Sequence, residues 1–437
     1  MVEARYVEAN RSQLNWDLVD LDSLLARDHR ARLVWQFAED LELSSFYAAI
    51  RSREGTAGRP AADPRVLLAL WLYATLEGVG SARELARLVE RDIAYRWLAG
   101  GVSVNYHGLS DFRLDWADEL DALLTQSVTS LVAAGLVSLD EVAVDGTKIR
   151  SPASSRSFTR GGRLERIERE ARERIERLRE EVKTDPAAST RRRQSAIERA
   201  AREAKAKVDK AREVLEKLRG EKKKREERHS KEEKDKAPPS VSLSDPDARR
   251  MRFADGAVRA GYNLQTVALP EHGLILTVKA TDRRNDKGLA ASMVDEMIRR
   301  YGRAPARLLL DEGYASQADI EALGKPRPNA RPTVIYMPVP SEKPEEELSP
   351  DSRRKRRWER ARETQAVKDW RQRMPTEEAR SILRRRKLIE RLHAHYKNRG
   401  LGRLTVRGIL KAQAAALWHA LANNLMVAHR IKALAAA

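Results

Sequence analysis

The 437-residue sequence predicts a mixed α+β protein in which an all-helical N-terminal part precedes a mixed sheet flanked by helices. Up to residue 137, apolar residues recur every three or four positions, as amphipathic helices require. From Leu139 onward, short segments alternate apolar with polar residues or form brief apolar runs, as strands do, and helical patterns follow them. Because 41% of the residues are hydrophobic, the chain can fill at least one large core, which argues against a wholly disordered protein.

The composition narrows the class of protein. Lysine and arginine outnumber aspartate and glutamate by 84 to 65, a formal charge of +19, and a polyanion is the partner that gains most from such a surface. The sequence has no cysteine, which excludes disulfides, thiolate zinc sites and a cysteine nucleophile. It shows neither a secretory signal nor an apolar run long enough to span a bilayer, so we expect a soluble intracellular protein with no membrane partner.

Residues 1–137 are predicted to form a compact helical domain. Pro64, followed by VLLALWLYATL, suits a helix with Asp63 as its N-cap. Shorter helical segments follow, joined by Gly78 and Gly80, and they have the size and the breaks of a helix-turn-helix-like bundle. Such bundles bind DNA in many proteins but also occur without DNA, so the pattern alone leaves the role of this domain open.

A charged segment at 160–240 is predicted to be a coiled-coil hairpin followed by a linker. It holds 28 Lys+Arg against 19 Asp+Glu. Apolar residues lie at heptad spacing from Leu164 to Val182 and again from Ile197 to Leu218, with turn residues between the two runs. Because these heptads bury only their own seam, we expect the hairpin to be an insertion in the domain around it.

The surrounding domain, 138–430, alternates strand and helix patterns. LDEVAVDGTKI is a strand that carries Asp145 at its end, RAGYNLQTVALPEHGLILTVKATD gives two strands around a turn, and ARLLLDEGYAS is a buried strand that ends at Asp311. A basic insertion at 341–374 then leads to a helix that carries Glu390. The predicted order is a strand with Asp145, a hairpin, a helix, a strand with Asp311, a helix, a strand and a helix with Glu390. Ribonuclease-H-like folds have this topology.

The three acids could converge at one end of this sheet. Asp145, Asp311 and Glu390 come from separate elements, and oxygen ligands of this kind are what two magnesium ions about 3.5–4 Å apart require.

Each acid also has a structural explanation. Asp145 and Asp311 could form turns before glycine, although each ends an apolar strand, where an unpaired charge gains nothing structurally. Glu390, on a helix predicted from about residue 376 to 398, could pair with Arg386 one turn earlier. Nearby acids compete with it on composition alone, namely Glu363, Glu377 and Glu378.

Several motifs occur in one order along the chain. They are Asp145-Gly146-Thr147-Lys148, Asp245-Pro246-Asp247-Ala248-Arg249, Tyr262-Asn263-Leu264-Gln265, Asp311-Glu312-Gly313-Tyr314, Ile389-Glu390-Arg391, KNRGLGR, VRG and LANNL. This order resembles the bacterial insertion-sequence transposases of the DDE class, in the insertion-sequence-five-like superfamily. The N-terminal segment DPRVLLALWLYATLEGVGSARELARLVERDIAYRWLAGG is similar to the same family. In one departure, His393 stands where the family usually has an aromatic residue, three positions after the glutamate.

The resemblance implies a DNA transposase that binds the terminal inverted repeats of its element and then cuts and joins DNA. It implies that Asp145, Asp311 and Glu390 form the metal-binding and catalytic triad, with two Mg²⁺ ions, or Mn²⁺ in their place. It also implies a homodimer or higher oligomer on DNA, in the cytoplasm and associated with the nucleoid.

Two sets of basic residues are candidates for phosphate contacts. Lys397 and Arg407 match basic positions of the family after the glutamate, and Lys148 lies in the first aspartate motif. The run at 353–357 stands out on charge alone, because 351–399 carries 18 Lys+Arg against 7 Asp+Glu. The run consists of Arg353, Arg354, Lys355, Arg356 and Arg357.

Two other functions remain open on the sequence. One is a non-catalytic basic DNA-binding protein, including a degenerate protein derived from a transposase, and the presence of all three acids argues against it. The other is a ribonuclease-H-like nuclease without strand transfer, and the helical N-terminal domain argues against that.

Overall fold

A mixed sheet of six strands lies among helices from both ends of the chain in the computed structural model, which describes residues 20–50, 52, 60–184, 191–227, 238–326 and 331–436. The strands are β1 Glu141–Arg150, β2 Phe158–Thr159, β3 Val241–Ser242, β4 Arg249–Arg252, β5 Val258–Ala268, β6 Ile275–Thr281, β7 Arg307–Leu309 and β8 Val334–Tyr336. The order in the main sheet is β4, β5, β1, β7, β8, and β6 pairs with β5. β5 is antiparallel to β1, whereas β7 is parallel to β1 and to β8. The predicted mixed α+β class and the mixed sheet are confirmed.

Before the sheet, the described chain is helical. The helices are α1 Arg30–Glu39, α2 Ser44–Ala48, α3 Pro64–Leu76, α4 Ala82–Arg91, α5 Ile93–Ala99, α6 Tyr106–Asp115 and α7 Ala117–Ala133. Asp63 accepts the Arg65 N–H at the start of α3, which confirms the predicted N-cap. Asp92 alone separates α4 from α5 and accepts the N–H groups of Ala94 and Tyr95. A helix-turn-helix role for these two helices stays a prediction.

The charged segment forms two helices, α8 Gly161–Thr184 and α9 Arg191–Glu226, that pack against each other. Their apolar seam, with Leu164, Val208 and Leu215, belongs to a small cluster separate from the main core. The predicted turn between them lies at 185–190, outside the described residues. Because β1 precedes this pair and β5 follows it in the same sheet, the two helices interrupt the sheet along the chain.

The remaining helices follow β6. They are α10 Ala290–Tyr301, α11 Gln317–Gly324, α12 Pro350–Ala361, α13 Gln365–Arg373, α14 Glu377–Arg384, α15 Lys387–Asn398 and α16 Ile409–Ala436. The prediction of one helix from about residue 376 to 398 is wrong, because the chain breaks between α14 and α15. Arg385 and Arg386 occupy the break, where they reach Glu141 and Asp145 of β1. These tertiary contacts outweigh the local helix propensity.

One apolar core joins the N-terminal helices to the sheet, and α16 is its centre. This helix packs against α3, α7 and β6. On the free edge of β6, the Asn424 side chain bonds both the N–H and the C=O of Ile275, at 2.8 and 2.7 Å. Gln413 likewise accepts from Ala280 and donates to Val278. The LANNL motif therefore covers a sheet edge that would otherwise expose unpaired backbone groups.

Although α16 is 28 residues long, neither it nor any other helix in the described residues combines the length and apolarity that crossing a membrane would take.

Candidate active site at β1 and β7

The two aspartates lie level with each other on neighbouring parallel strands. The last paired residues of β1 and β7 are Ala143 and Leu309, and each aspartate follows two residues later. The sequence predicted Asp145 at the end of its strand. This prediction is wrong, because β1 continues to Arg150 in register with β5. On its other side β7 pairs with β1 only as far as Ala143, so β1 has an open edge beside Asp145.

Asp145 is 8% exposed and has basic partners on one side. Its Oδ2 lies 3.5 Å from Arg386 Nη1 and 3.5 Å from His393 Nδ1, while Oδ1 accepts the Gly146 N–H at 2.9 Å. His393 Nε2 lies 3.3 Å from Thr266 Oγ1. The residue that departs from the family pattern thus contacts the first aspartate directly.

Asp311 follows β7 and begins the short 3₁₀ turn Glu312–Tyr314. Its Oδ1 is buried, and no donor among the described residues meets it with full hydrogen-bond geometry, although the Gly313 N–H is close enough to the carboxyl to lower its pKa in part. Burial, and then the charge of Asp145, raise the pKa of Asp311, while Arg386 acts in the opposite direction. A buried carboxylate oxygen that receives no full hydrogen bond, next to a second carboxylate, offers the oxygen ligands that a divalent cation binds. The two aspartates therefore fit the implied metal.

Glu390 lies in the first turn of α15, which packs on the Asp145 face of β1. Its Oε1 bonds Arg386 Nη2 at 2.8 Å, and its side chain is 56% exposed. Arg386 therefore lies between Glu390 and Asp145, and the i, i+4 pair that the sequence allowed is present. Within the described residues, no three acidic or histidine side chains converge closely enough to hold a metal ion as they stand. Convergence of the three acids stays a prediction.

Two of the three competing glutamates are engaged elsewhere. Glu377 bonds Arg384, and Glu363, with a side chain only 5% exposed, bonds Arg371 at 2.9 Å. Glu378 is exposed on α14.

The Asp245 motif has a structural role. Asp245 is 1% exposed and accepts hydrogen bonds from the Ser151 hydroxyl, the Tyr262 hydroxyl and the Gly408 N–H, at 2.5, 2.6 and 3.1 Å. Asp247 accepts the Ile409 N–H at the start of α16. The motif and VRG therefore fasten the end of β1, β5 and α16 together.

The predicted DNA-binding residues fall into two groups. Lys148 is half-buried in β1, while Lys397 is exposed in the last turn of α15 and Arg407 is exposed in the connection to α16. None of these three forms an ion pair with a described residue. The run on α12 differs, because four of its five residues bond their own chain: Arg353 to the Leu348 carbonyl, Arg354 to Asp351, Arg356 to Glu342 and Arg357 to Glu345.

Sequence reasoning missed several residues near the aspartates. Asp286, in the loop after β6, bonds the amides of Asn263 and Gln265, and Gln265 bonds Tyr314. The motifs quoted above include three of these four residues without indicating their contacts. For Asp286, no periodicity or spacing in the sequence gives a signal.

Two family models match the chain. The one described as Transposase DDE domain matches residues 235–425, and the one described as Transposase domain (DUF772) matches residues 19–114. The chain belongs to the insertion-sequence DDE transposases. No curated protein and no solved structure matches this transposase.

The two matched ranges do not cover all three candidate acids of the transposase. Asp311 and Glu390 lie inside the DDE match, whereas Asp145 lies in the unmatched stretch between the two models. Asp145 is connected to the matched domain through the sheet, since β1 pairs with β5 and β7, both inside the match. The unmatched stretch also holds the whole of the helical pair α8 and α9.

Proposed function

We propose that this transposase, of the insertion-sequence-five-like group, binds the terminal inverted repeats of its element and catalyses cation-dependent DNA cleavage and strand transfer. Asp145, Asp311 and Glu390 are its proposed metal-binding acids, with Mg²⁺, or Mn²⁺, as cofactor. The observation that carries the proposal is the level placement of two aspartates beside an open strand edge, one of them with a buried oxygen that receives no full hydrogen bond.

Bound divalent cations would supply the charge that activates a water or a 3′-hydroxyl and that stabilises the leaving oxygen. Asp145 and Asp311 would hold them, since their elements fix both side chains at one level of the sheet. Arg386 and His393 orient Asp145 through its Oδ2.

Glu390 would join the aspartates by leaving Arg386. The Glu390 side chain is 56% exposed but that of Arg386 only 18%, so breaking this i, i+4 pair costs more than the about 0.3–0.5 kcal/mol of an exposed pair, and cation binding has to offset that cost. Arg386, which also lies 3.5 Å from Asp145, would then lose one acidic partner to the incoming charge.

DNA would be held by basic side chains and read by the N-terminal helices. Lys148, Lys397 and Arg407 are the proposed phosphate contacts nearest in sequence to the three acids, and the run at 353–357 adds a second set. Reading of base edges needs a helix in a groove, which the sheet does not offer and the N-terminal helices do. We propose a homodimer or higher oligomer on DNA.

Cleavage and strand transfer of labelled element ends, with and without Mg²⁺, test the proposal. Asp145→Asn and Asp311→Asn should each lower the cleavage rate by roughly a hundredfold or more and leave end binding intact, because a neutral amide cannot balance the cation charge. Asp255→Asn is the matched control, since Asp255 is an exposed acid that pairs with Arg259 in the turn between β4 and β5. Normal turnover by either site variant would remove that aspartate from the centre.

The second candidate is a DNA-binding protein that has lost its chemistry. The bond between Glu390 and Arg386 favours it, because that bond holds the third acid away from the aspartates. It predicts specific binding of the ends with no cleavage at any concentration of Mg²⁺ or Mn²⁺.

A further inference from the structure

A buried polar chain lies on the face of the sheet opposite Asp145. Side chains alternate along a strand, so Asp145 and its neighbour Thr266 on β5 share the face that α15 covers. Gly146 and its partner Gln265 therefore face the other way. That second face has no role in the function proposed so far.

Asp286 occupies this second face directly over Gly146. A Cβ added to Gly146 would overlap Asp286 Oδ1 and would lie 2.6 Å from Gln265 Nε2, so only glycine leaves room for the carboxylate. Asp286 Oδ1 accepts hydrogen bonds from Asn263 Nδ2 and Gln265 Nε2, each at 2.7 Å. Both amides are 1% exposed.

The carboxylate sets the direction of the next hydrogen bond. An ionised aspartate only accepts, so it draws the Gln265 NH₂ group toward itself and leaves Gln265 Oε1 facing the other way. That oxygen accepts the hydroxyl of Tyr314, a residue 1% exposed. Tyr314 ends the 3₁₀ turn that Asp311 begins, and its N–H bonds the Asp311 carbonyl at 3.3 Å.

We propose that Asp286 is a positioning residue for Asp311, acting through Gln265 and Tyr314. The inference rests on the proposed function, because it assigns this chain the task of holding Asp311 where a divalent cation needs it. Asp311 and Asp145 repel each other before a cation binds, so the turn needs an anchor on the sheet, and the Tyr314 hydroxyl supplies it. Asp286 does not itself join Asp145 around a cation, since the two lie on opposite faces of β1.

The test compares cation binding in variants that keep or remove the acceptor at residue 286. Asp286→Ala and Tyr314→Phe should each weaken Mn²⁺ binding, measured by electron paramagnetic resonance on the free protein, by about tenfold. Asp286→Asn should stay within about twofold of the wild type, because its amide oxygen can still accept from both neighbours. The double variant with alanine and phenylalanine should bind no more weakly than the weaker single variant, since both changes break one chain of bonds.

Tyr301→Phe is the matched control. Tyr301 donates its hydroxyl to the Leu276 carbonyl, so this variant also loses one tyrosine hydrogen bond but should bind Mn²⁺ normally. The Mg²⁺ concentration for half-maximal cleavage should rise in Asp286→Ala and Tyr314→Phe and not in the control. Should Asp286→Ala fail to fold, Tyr314→Phe carries the test alone.

Asp145→Asn separates failure of the inference from failure of the proposed function. If Asp145→Asn fails to bind Mn²⁺ while Asp286→Ala and Tyr314→Phe bind it as tightly as the wild type, Asp286 has no positioning role and the proposed function stands. If Asp286→Asn is as weak as Asp286→Ala, the charge and not the hydrogen bonds acts on the cation, which overturns the inference. If the wild type binds Mn²⁺ no better than Asp145→Asn, the proposed metal centre and this inference both fall.

Discussion

The acids at β1 and β7 and the bases at 341–374 are two concentrations of like charge that the fold treats in opposite ways. Asp311 keeps a buried oxygen that receives no full hydrogen bond, next to Asp145. In the basic segment, Glu342 alone bonds Arg356, Arg360 and Arg371. The acidic pair thus keeps an unsatisfied carboxylate oxygen, whereas the basic segment is largely neutralised by its own chain. Charge counted along a sequence does not show which charges remain available to a ligand.

The two arrangements also differ in what they do to stability. A buried polar group without a partner costs about 1–3 kcal/mol, so the acidic site destabilises the free protein. Exposed ion pairs contribute about 0–1 kcal/mol each. The pairs of Glu342 with Arg356 and Arg371 join side chains that are at most 30% exposed, so solvent screens them less and they hold these arginines in the segment. For Glu342, burial alone would raise the pKa, and the charges of Arg360 and Arg371 lower it overall.

The largest expected effect is on Glu390. Glu390→Gln should lower cleavage by roughly a hundredfold or more if this carboxylate exchanges Arg386 for a cation. Glu378→Gln, an exposed acid on the preceding helix, is the control and should cleave normally. If Glu378→Gln is inactive and Glu390→Gln cleaves normally, the third acid comes from α14. Glu363→Gln is a poorer control than its sequence suggests, since that side chain is buried against Arg371.

The second effect is on stability and its pH dependence. Because its pKa is raised in the fold, ionised Asp311 lowers stability: its favourable contribution is complete below the ordinary aspartate pKa of about 3.9 and is lost as pH rises through the folded pKa. Asp311→Asn should therefore raise the thermal midpoint by roughly 1–3 °C at pH 7.5 without divalent cations, and the gain should vanish near pH 4.

Calorimetry at pH 7.5 and near pH 4 measures the thermal midpoints of the wild type and of Asp311→Asn. Asp255→Asn is the control. The hydrogen bond from Arg259 lowers the pKa of Asp255, so removing this carboxylate should not raise the thermal midpoint at pH 7.5. Mg²⁺ should raise the midpoint of the wild type more than that of Asp311→Asn. A variant no more stable than the wild type at pH 7.5 would show that the acidic site is not strained.

Local patterns predicted much of the fold. The Asp63 cap depends on adjacent residues, and the strands around both aspartates depend on short apolar runs, so both could be predicted from sequence. The sequence indicated only that the acids could converge at one end of the sheet. The level placement of Asp145 and Asp311 on neighbouring strands and the position of Asp145 within β1 came from the structure.

Contacts between distant residues could not be predicted in this way. Asp286 meets Gly146 only because β5 pairs with β1, and Glu342 collects arginines from two later helices. The break at Arg385 and Arg386 likewise depends on acids in β1, more than 200 positions earlier in the sequence. In each case a charge finds its partner through tertiary structure, and no local pattern encodes the pairing.

A smaller effect distinguishes the two sets of basic residues. Five free phosphate contacts would give a slope of log K against log salt of about −4.5, and two would give about −1.8. Changing all five residues of the run at 353–357 to Gln should flatten the slope by clearly less than 4.5, because four of them already bond their own chain. Lys397→Gln with Arg407→Gln should flatten it by close to the full two-contact value. Anisotropy titrations at several salt concentrations measure both, and a full five-contact change would show that the internal bonds do not restrain the run.

The smallest effect should come from Glu342, and it is the sharpest test of self-neutralisation. Glu342→Gln removes the shared partner of Arg356, Arg360 and Arg371, so non-specific duplex binding should tighten by about two- to threefold at low salt and its salt slope should steepen, since freed arginines can displace counterions. Glu346→Gln removes an equal charge in the same segment from a residue that has no ion pair with any described residue, so it measures the effect of net charge alone. If the two variants tighten binding equally, Glu342 does not restrain the arginines, and the basic segment is as available to DNA as its composition alone would indicate.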